Sequence, residues 1–487
     1  MPETDESVRP LLDESSPSAR AGPAATIHPP GHDPARWMGV GEVVRLAAPS
    51  VLGTVSFTIM QFVDGWMVSQ VPGPSLAAQL TPGMASFAPI SFCLGLLSVV
   101  STFASQYVGA GRPERAAVYG WQGLWISGAS AAAMAVLIPL AGPVMALFGH
   151  TPEVRALEVP YFRILVGGSL FVIASQALTS FFIGIQRPVV PLVGGVAGNV
   201  VNFVVAYALI FGEFGMPELG LVGAGIGSVA GGAVMLAIML GCYLVGPLSR
   251  EWRVRSQCSV SWDAIAEILK LGAPAGAMFL GDVLMWVIFM GLVIGQFGDP
   301  ALAATNILNR YWQMCFMPAI GVSAAAAAIV GRHCGAGRPR LAWRRAHVAL
   351  ILVEVYMVGT GIAMWILRDG LVGLFIEPGD PPMVRAIATE TFIFILLCQA
   401  FDALNVVFIG ALRGAGDTLW PWIVQVGLAY GLGLGGSALV ARLAPGWGVA
   451  GPWAAASMYI ALLGLVMWAR FLGGRWKTLR VTENVEY

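Results

Sequence analysis

Twelve predominantly apolar runs, each long enough to cross a bilayer as a helix, succeed one another along this chain: roughly 41–69, 78–107, 116–146, 157–184, 188–212, 220–247, 264–296, 301–331, 342–368, 386–412, 418–442 and 449–473. A hydrocarbon core about 30 Å thick takes about 20 residues at 1.5 Å per residue, so each run matches one crossing. None alternates in polarity as a spanning strand of about ten residues would, and every run therefore reads as a helix whose backbone groups bond within the segment. The expected fold is an all-α integral membrane protein. With 57% hydrophobic and 11% charged residues, the chain is too apolar for a soluble globule of 487 residues. A net charge of zero gives no reason to expect a nucleic-acid partner.

The polar remainder organises these runs. Residues 1–36 are rich in Pro, Ser and acids, carry no apolar core, and read as a disordered tail rather than a signal peptide. His28 and His32 in that tail are not taken as metal ligands. Six scattered cysteines without a CxxC pair indicate neither a disulfide framework nor a zinc site. Of 27 basic residues, 20 fall on the tails and even-numbered loops and five on the opposite side, which predicts that both termini are cytoplasmic. The expected location is the plasma (inner) membrane.

An internal repeat divides the chain in two. GAGRP occurs at Gly109 and again at Gly335, a shift of 226; the same shift carries SLAA at Ser75 onto ALAA at Ala301, and FIGIQR at Phe182 onto FIGALR at Phe408. Six helices separate the copies, so both halves cross in the same sense and form parallel repeats about an axis along the membrane normal. The expected domains are a tail over 1–36, a six-helix bundle over 37–247, a polar cytoplasmic linker over 248–263, a second six-helix bundle over 264–475 and a tail over 476–487. Two such bundles around a central cleft suit alternating access by rocking, and they function as a monomer. Both GAGRP motifs read as helix stops, with a glycine cap, an arginine at the negative helix end and a proline that blocks continuation. Neither has the form of a phosphate-binding loop, no catalytic set is assembled, and neither an enzyme nor any cofactor is expected.

The segments LAAPSVLGTVSFTIMQFVDGWMV, STFASQYVGAGRPERA, GNVVNFVVAYALIFG and QAFDALNVVFIGALRGAGDT, in this order across a duplicated twelve-span layout, resemble the multidrug and toxic compound extrusion (MATE) family over nearly all of 41–475. The resemblance implies export of organic, often cationic, compounds in exchange for protons or sodium ions.

Acids inside the spans are the candidate coupling residues, because an ionisable group in hydrocarbon costs roughly 3 kcal/mol or more. Asp64 lies in the outer half of the first span with Gln61 on the same face, and Asn199 and Asn202 share a face of the fifth. A carboxylate facing two carboxamides makes a proton or sodium site; the alternative is that the asparagines only link helices. The family pattern supports Asp64 and Asn202, and places in some members a second acid where this chain has Ala206. Asp282 and Asp402 lie mid-span in the second half and match acidic positions of sodium-coupled members, so two carboxylates in one bundle form a second candidate ion site.

Arg310 on the eighth span needs a counter-ion; paired with Asp282 or Asp402 it is a structural bridge or a releasable lock. Glu354 reads as a helix–helix contact and Glu390 as an interfacial residue beside Arg385. Trp66, Met67, Met285, Trp286, Tyr311, Trp312 and Met314 are candidates for an adaptable wall that attracts cations, against a reading as lipid-facing or core residues. The expected function is a proton- or sodium-coupled antiporter of amphipathic, cationic drugs, with membrane lipid as its surroundings. The alternatives are a flippase for lipid or lipid-linked oligosaccharide, from the wider superfamily, and a transport-inactive scaffold.

Overall fold

The structure, a computed structural model, describes residues 38–71, 75–376, 381–479 and 481. The expected tail over 1–36 and the last residues, 482–487, lie outside the described residues. The long helices follow the order of the apolar runs. They are α1 (Met38–Ser69), α2 (Ala78–Gly109), α3 (Pro113–Ala135), α4 (Pro152–Gly184), α5 (Val189–Phe211), α6 (Leu221–Leu244), α7 (Trp262–Phe297), α8 (Asp299–Gly335), α9 (Pro339–Gly373), α10 (Pro382–Ala415), α11 (Leu419–Leu443) and α12 (Ala450–Leu472). No strand occurs among the described residues.

Eleven of these helices are long and apolar enough to cross a membrane. The twelfth, α3, has 23 residues, about 34 Å at 1.5 Å per residue, which suffices for a crossing. Its lower apolarity comes from Tyr119, Gln122 and Ser127, which are buried against protein. The segment expected over 116–146 is too long, because the chain leaves α3 at Val136, turns, and forms a separate short helix Ala141–Ala146. Pro139 in that turn lacks the N–H that continuation would require. Two widened π-turns occur in the second half, Phe289–Ile294 within α7 and the glycine-rich Ala429–Gly436 within α11.

The sequence repeat is also a repeat of contacts. Gly95 of α2 lies against Ala275 and Gly276 of α7, and Gly321 of α8, 226 residues after Gly95, lies against Ser50 and Val51 of α1. Gly109 abuts Arg332 while Gly335 abuts Gln106, the same pair with the halves exchanged. A Cβ on Gly109 or Gly335 would stand 2.0 Å from a carbonyl oxygen, so only glycine permits this approach. The second glycine of each motif serves a different purpose. Gly111 and Gly337 hold φ of +73° and +68°, the left-handed turn that ends the helix.

The halves are joined at the arginine-rich end. The core of the first half includes Ala264, Ile268 and Ala275 from the start of α7. In a separate cluster, Val43, Leu46 and Ala47 at the start of α1 pack with buried residues of α8, α9 and α10. Further along the same two helices the cores part. Met60, Met67 and Val68 of α1 are buried among first-half residues, and Met285, Phe289 and Val293 of α7 among second-half residues. The connection expected over 248–263 is a belt on α3 rather than a free polar tether. Trp252 and Val254 are buried, and the Trp121 indole and Gln122 amide donate to the carbonyls of Val254 and Ser259 at 2.8 and 3.0 Å.

Candidate functional site: a buried acid cluster in each half

Asp64 is buried on α1, and its Oδ2 accepts a hydrogen bond from Asn202 Nδ2 on α5 at 3.1 Å. Asp64 Oδ1 and Asn202 Oδ1 are both buried without a hydrogen-bond partner. Orphaned acceptors at that depth are costly unless a proton or cation satisfies them. Met60, Met67 and Tyr161 belong to the apolar cluster around this level of the bundle, and Tyr161 on α4 is within Coulombic reach of Asp64. Ala206 is fully buried against Gly227 of α6, where an added Cβ would meet the Ala206 Cβ at 2.7 Å. This close packing leaves no room for a second carboxylate.

The other carboxamide does not join this cluster. Asn199 donates to Ser56 Oγ at 2.8 Å, a link between α5 and α1, and Gln61 is exposed.

In the second half, Asp282 on α7 and Asp402 on α10 lie within Coulombic reach of each other, and Tyr459 of α12 is within reach of both. Gln425 Nε2 approaches Asp282 Oδ1 at 3.5 Å, and Asn405 Nδ2 donates to Asp402 Oδ1 at 3.2 Å. Asp402 Oδ2, Asn405 Oδ1 and Gln425 Oε1 remain buried without hydrogen bonds, and the buried Trp312 indole N–H neighbours Asp402. The rings of Trp286 and Trp312 meet edge to face at 4.5 Å, with Trp453 6.4 Å from each. Sequence reasoning misses Gln425, Asn405 and Tyr459. Gln425 carries a repeat signal: 226 residues before it stands Asn199, and 226 before Asp282 stands Ser56, so one α1–α5 type of contact is reused between α7 and α11.

Arg310 is exposed, its guanidinium lies 5.4 Å from the Phe375 ring centre, and among the described residues it forms no ion pair with Asp282 or Asp402. The pairing weighed from the sequence is therefore not made in this structure. The expected aromatic and methionine wall also divides. Met67, Met285 and Tyr311 are buried in the cores, whereas Trp66 and Met314 are exposed. Glu354 keeps a buried, unpartnered oxygen on α9, and Glu390 lines a shallow outer hollow with Arg368, Asp369 and Arg385. No group of three or more His, Cys, Asp or Glu suited to a metal ion occurs among the described residues.

Polar contacts fasten the joined end between these clusters and the arginine-rich loops. Thr102 donates to the Arg413 carbonyl at 2.8 Å and Gln106 to that of Gly414 at 3.0 Å, both across the halves. Glu42 of α1 accepts from Arg345 of α9 at 2.8 Å, with His333 of α8 3.8 Å away.

A duplicated bundle of membrane helices, with one buried acid in the site of the first half, two in that of the second and the halves fastened at one end, defines a membrane transporter. The chain belongs to the MatE family, whose model matches twice, over residues 49–208 and 274–438, once in each half. It is similar to "Probable multidrug resistance protein NorM" of Pseudomonas aeruginosa, 29% identical with 90% of each chain covered. It is also similar to "Multidrug resistance protein PmpM" of the same organism, 29% identical with 81% of this chain and 82% of that one covered. Two solved structures share the fold. One is described as the outward-facing conformation of a multidrug resistance MATE family transporter (TM-score 0.81, 16% identity, 91% and 96% covered). The other is the eukaryotic MATE transporter AtDTX14 (TM-score 0.80, 19% identity, 90% and 97% covered).

Proposed function

We propose that this transporter exports amphipathic, cationic organic compounds in exchange for protons or sodium ions moving inward. The observation that carries the reading is the Asp64–Asn202 pair: a buried carboxylate with one hydrogen bond and two adjacent orphaned oxygens, which a proton or a sodium ion would complete. Loading Asp64 removes a buried charge, and a change in charge at one site shifts the balance between two arrangements of the halves. The joined, arginine-rich end is assigned to the cytoplasm by the excess of basic residues there. Asp282 and Asp402 supply a second charge cluster, and the neighbouring Trp286 and Trp312 give a cation an aromatic surface. The multidrug resistance named for the NorM and PmpM relatives supports the substrate class.

The deciding experiment uses the full chain in sealed vesicles with an imposed pH or sodium gradient and a fluorescent organic cation. Asp64→Asn is expected to insert normally and to lose gradient-driven export. Normal export by that variant would refute the assignment, and the gradient that drives the wild type identifies the ion.

A further inference from the structure

Glu158, on the second turn of α4, is a fully buried carboxylate that the reading above leaves unused. One oxygen, Oε1, meets His150 Nδ1 at 2.7 Å, and the other, Oε2, is buried without a partner. His150 sits in the turn before α4, at the end of the molecule opposite the arginine-rich loops, and its side chain is 37% exposed. The pair therefore runs from surface to interior. One turn further along the same helix, Tyr161 stands in the Asp64 cluster and within Coulombic reach of Asp64.

The surroundings hold few other charges. Arg155 donates to the His150 carbonyl at 3.3 Å, and its buried Nε has no hydrogen bond. Arg163 turns away to the Ile138 carbonyl. Glu153 at the start of α4 is exposed, and of the elements packed on this part of α4 the helix Ala141–Ala146 carries no titratable group, α2 and α6 carry no charged residue, α3 carries none beyond Arg115 near its far end, and α1 brings only Asp64. A lone acid in such a place needs a proton or a cationic imidazole to offset its desolvation.

We propose that His150 and Glu158 form a second proton-binding site of the first half, which takes protons from water at the end opposite the arginine-rich loops and passes them toward Asp64. The imidazole accepts a proton from water; the N–H bond at Nδ1 then breaks as an O–H bond forms on the Glu158 carboxylate, leaving a neutral imidazole and a neutral acid. The proton is then held by the buried Glu158, one helical turn before Tyr161 of the Asp64 cluster. This inference rests on the proton-coupled form of the function proposed above.

The test reconstitutes full-length wild type, His150→Gln and Glu158→Gln in vesicles. Proton-driven export of a fluorescent cation is measured as the pH is varied on the His150 side alone, and dye binding and thermal unfolding are followed in parallel. The wild-type rate is expected to fall as the pH on the His150 side is raised. Both variants are expected to bind dye and unfold as the wild type does, but to need about tenfold more protons for half-maximal rate. Should Glu158→Gln fail to fold, the partly exposed His150→Gln carries the test. Folded variants with the wild-type pH profile would overturn this inference alone. A wild type that ignores the pH gradient would overturn the proton-coupled reading and this inference with it.

Discussion

Ser56 and Asp282 occupy equivalent positions in the repeat, as do Asn199 and Gln425, yet only the second pair contains an acid. In the first half the acid stands eight residues further along the helix, at Asp64, about 12 Å away at 1.5 Å per residue. There it meets Asn202 rather than Asn199. The two halves thus bury carboxylates at different levels of equivalent helices. Replacing Asn202 with Leu is expected to remove the single hydrogen bond that stabilises the ion-free Asp64 carboxylate, so that the site holds a proton more tightly by roughly tenfold or more, since such a bond to a charged group is worth about 1.5–3 kcal/mol; the shift of the transport rate with pH measures it. Arg310→Gln is expected to leave gradient-driven export within about twofold of the wild type, because its visible partner is the Phe375 ring and an exposed contact of that kind is worth about 0.5–1 kcal/mol. Loss of export in that variant would return Arg310 to the ion path. Asp64, Asp282 and Asp402 are legible in the sequence because each interrupts an apolar run. Glu158 is not, because it lies at the edge of its run, where an acid is ordinary, and only the fold buries it.

At the level of elements, the ends of α2 and α8 carry most of the contact that closes the arginine-rich side. GAGRP is legible as a helix stop, and Gly111 and Gly337 perform that role. That the first glycine of each copy, Gly109 and Gly335, is also the point where one half touches the other is not legible, because a close approach has no local sequence signature. Gly335→Ala is expected to insert normally but to hold the two ends apart, since its Cβ would overlap the Gln106 carbonyl. Spin labels placed on the loops after α2 and α8 would report a longer distance and a smaller closed population, and export would fall by about tenfold or more. An unchanged distance distribution would show that the seam has slack. The shortened α3 has a similar lesson. Its end at the turn holding Pro139 is written in the sequence, whereas the burial of its polar Gln122 and Ser127 against the belt and neighbouring helices is decided by the fold.

For the whole molecule, orientation is the property that a single label can check. Cys258 in the belt between the halves and Cys242 near the end of α6 are exposed, both toward the arginine-rich side, whereas Cys93, Cys315, Cys334 and Cys398 are buried. A membrane-impermeant maleimide is expected to label Cys258 in inside-out vesicles and not in intact cells. The reverse result would invert the topology and with it the direction of transport. The exchange of partners at the joined end, with α1 beginning in the second half's core and α7 in the first half's, means that the two bundles cannot separate there without exposing apolar surface. Movement between states therefore has to trade that contact for a similar one at the opposite end.

The sequence by itself determined that this is a duplicated helical membrane protein of the MATE family, because the length of an apolar run, the burial cost of a charge and a constant repeat shift are all written in one dimension. It also placed Asp64, Asn202, Asp282 and Asp402 inside the bundles. The tertiary structure alone decided which polar groups meet: it joined Asp64 to Asn202, sent Asn199 to Ser56, set Arg310 against the Phe375 ring and buried Glu158 beneath His150. Helical spacing says which residues share a face, but which face looks at which neighbour depends on how twelve helices pack, and that is a property of the whole bundle.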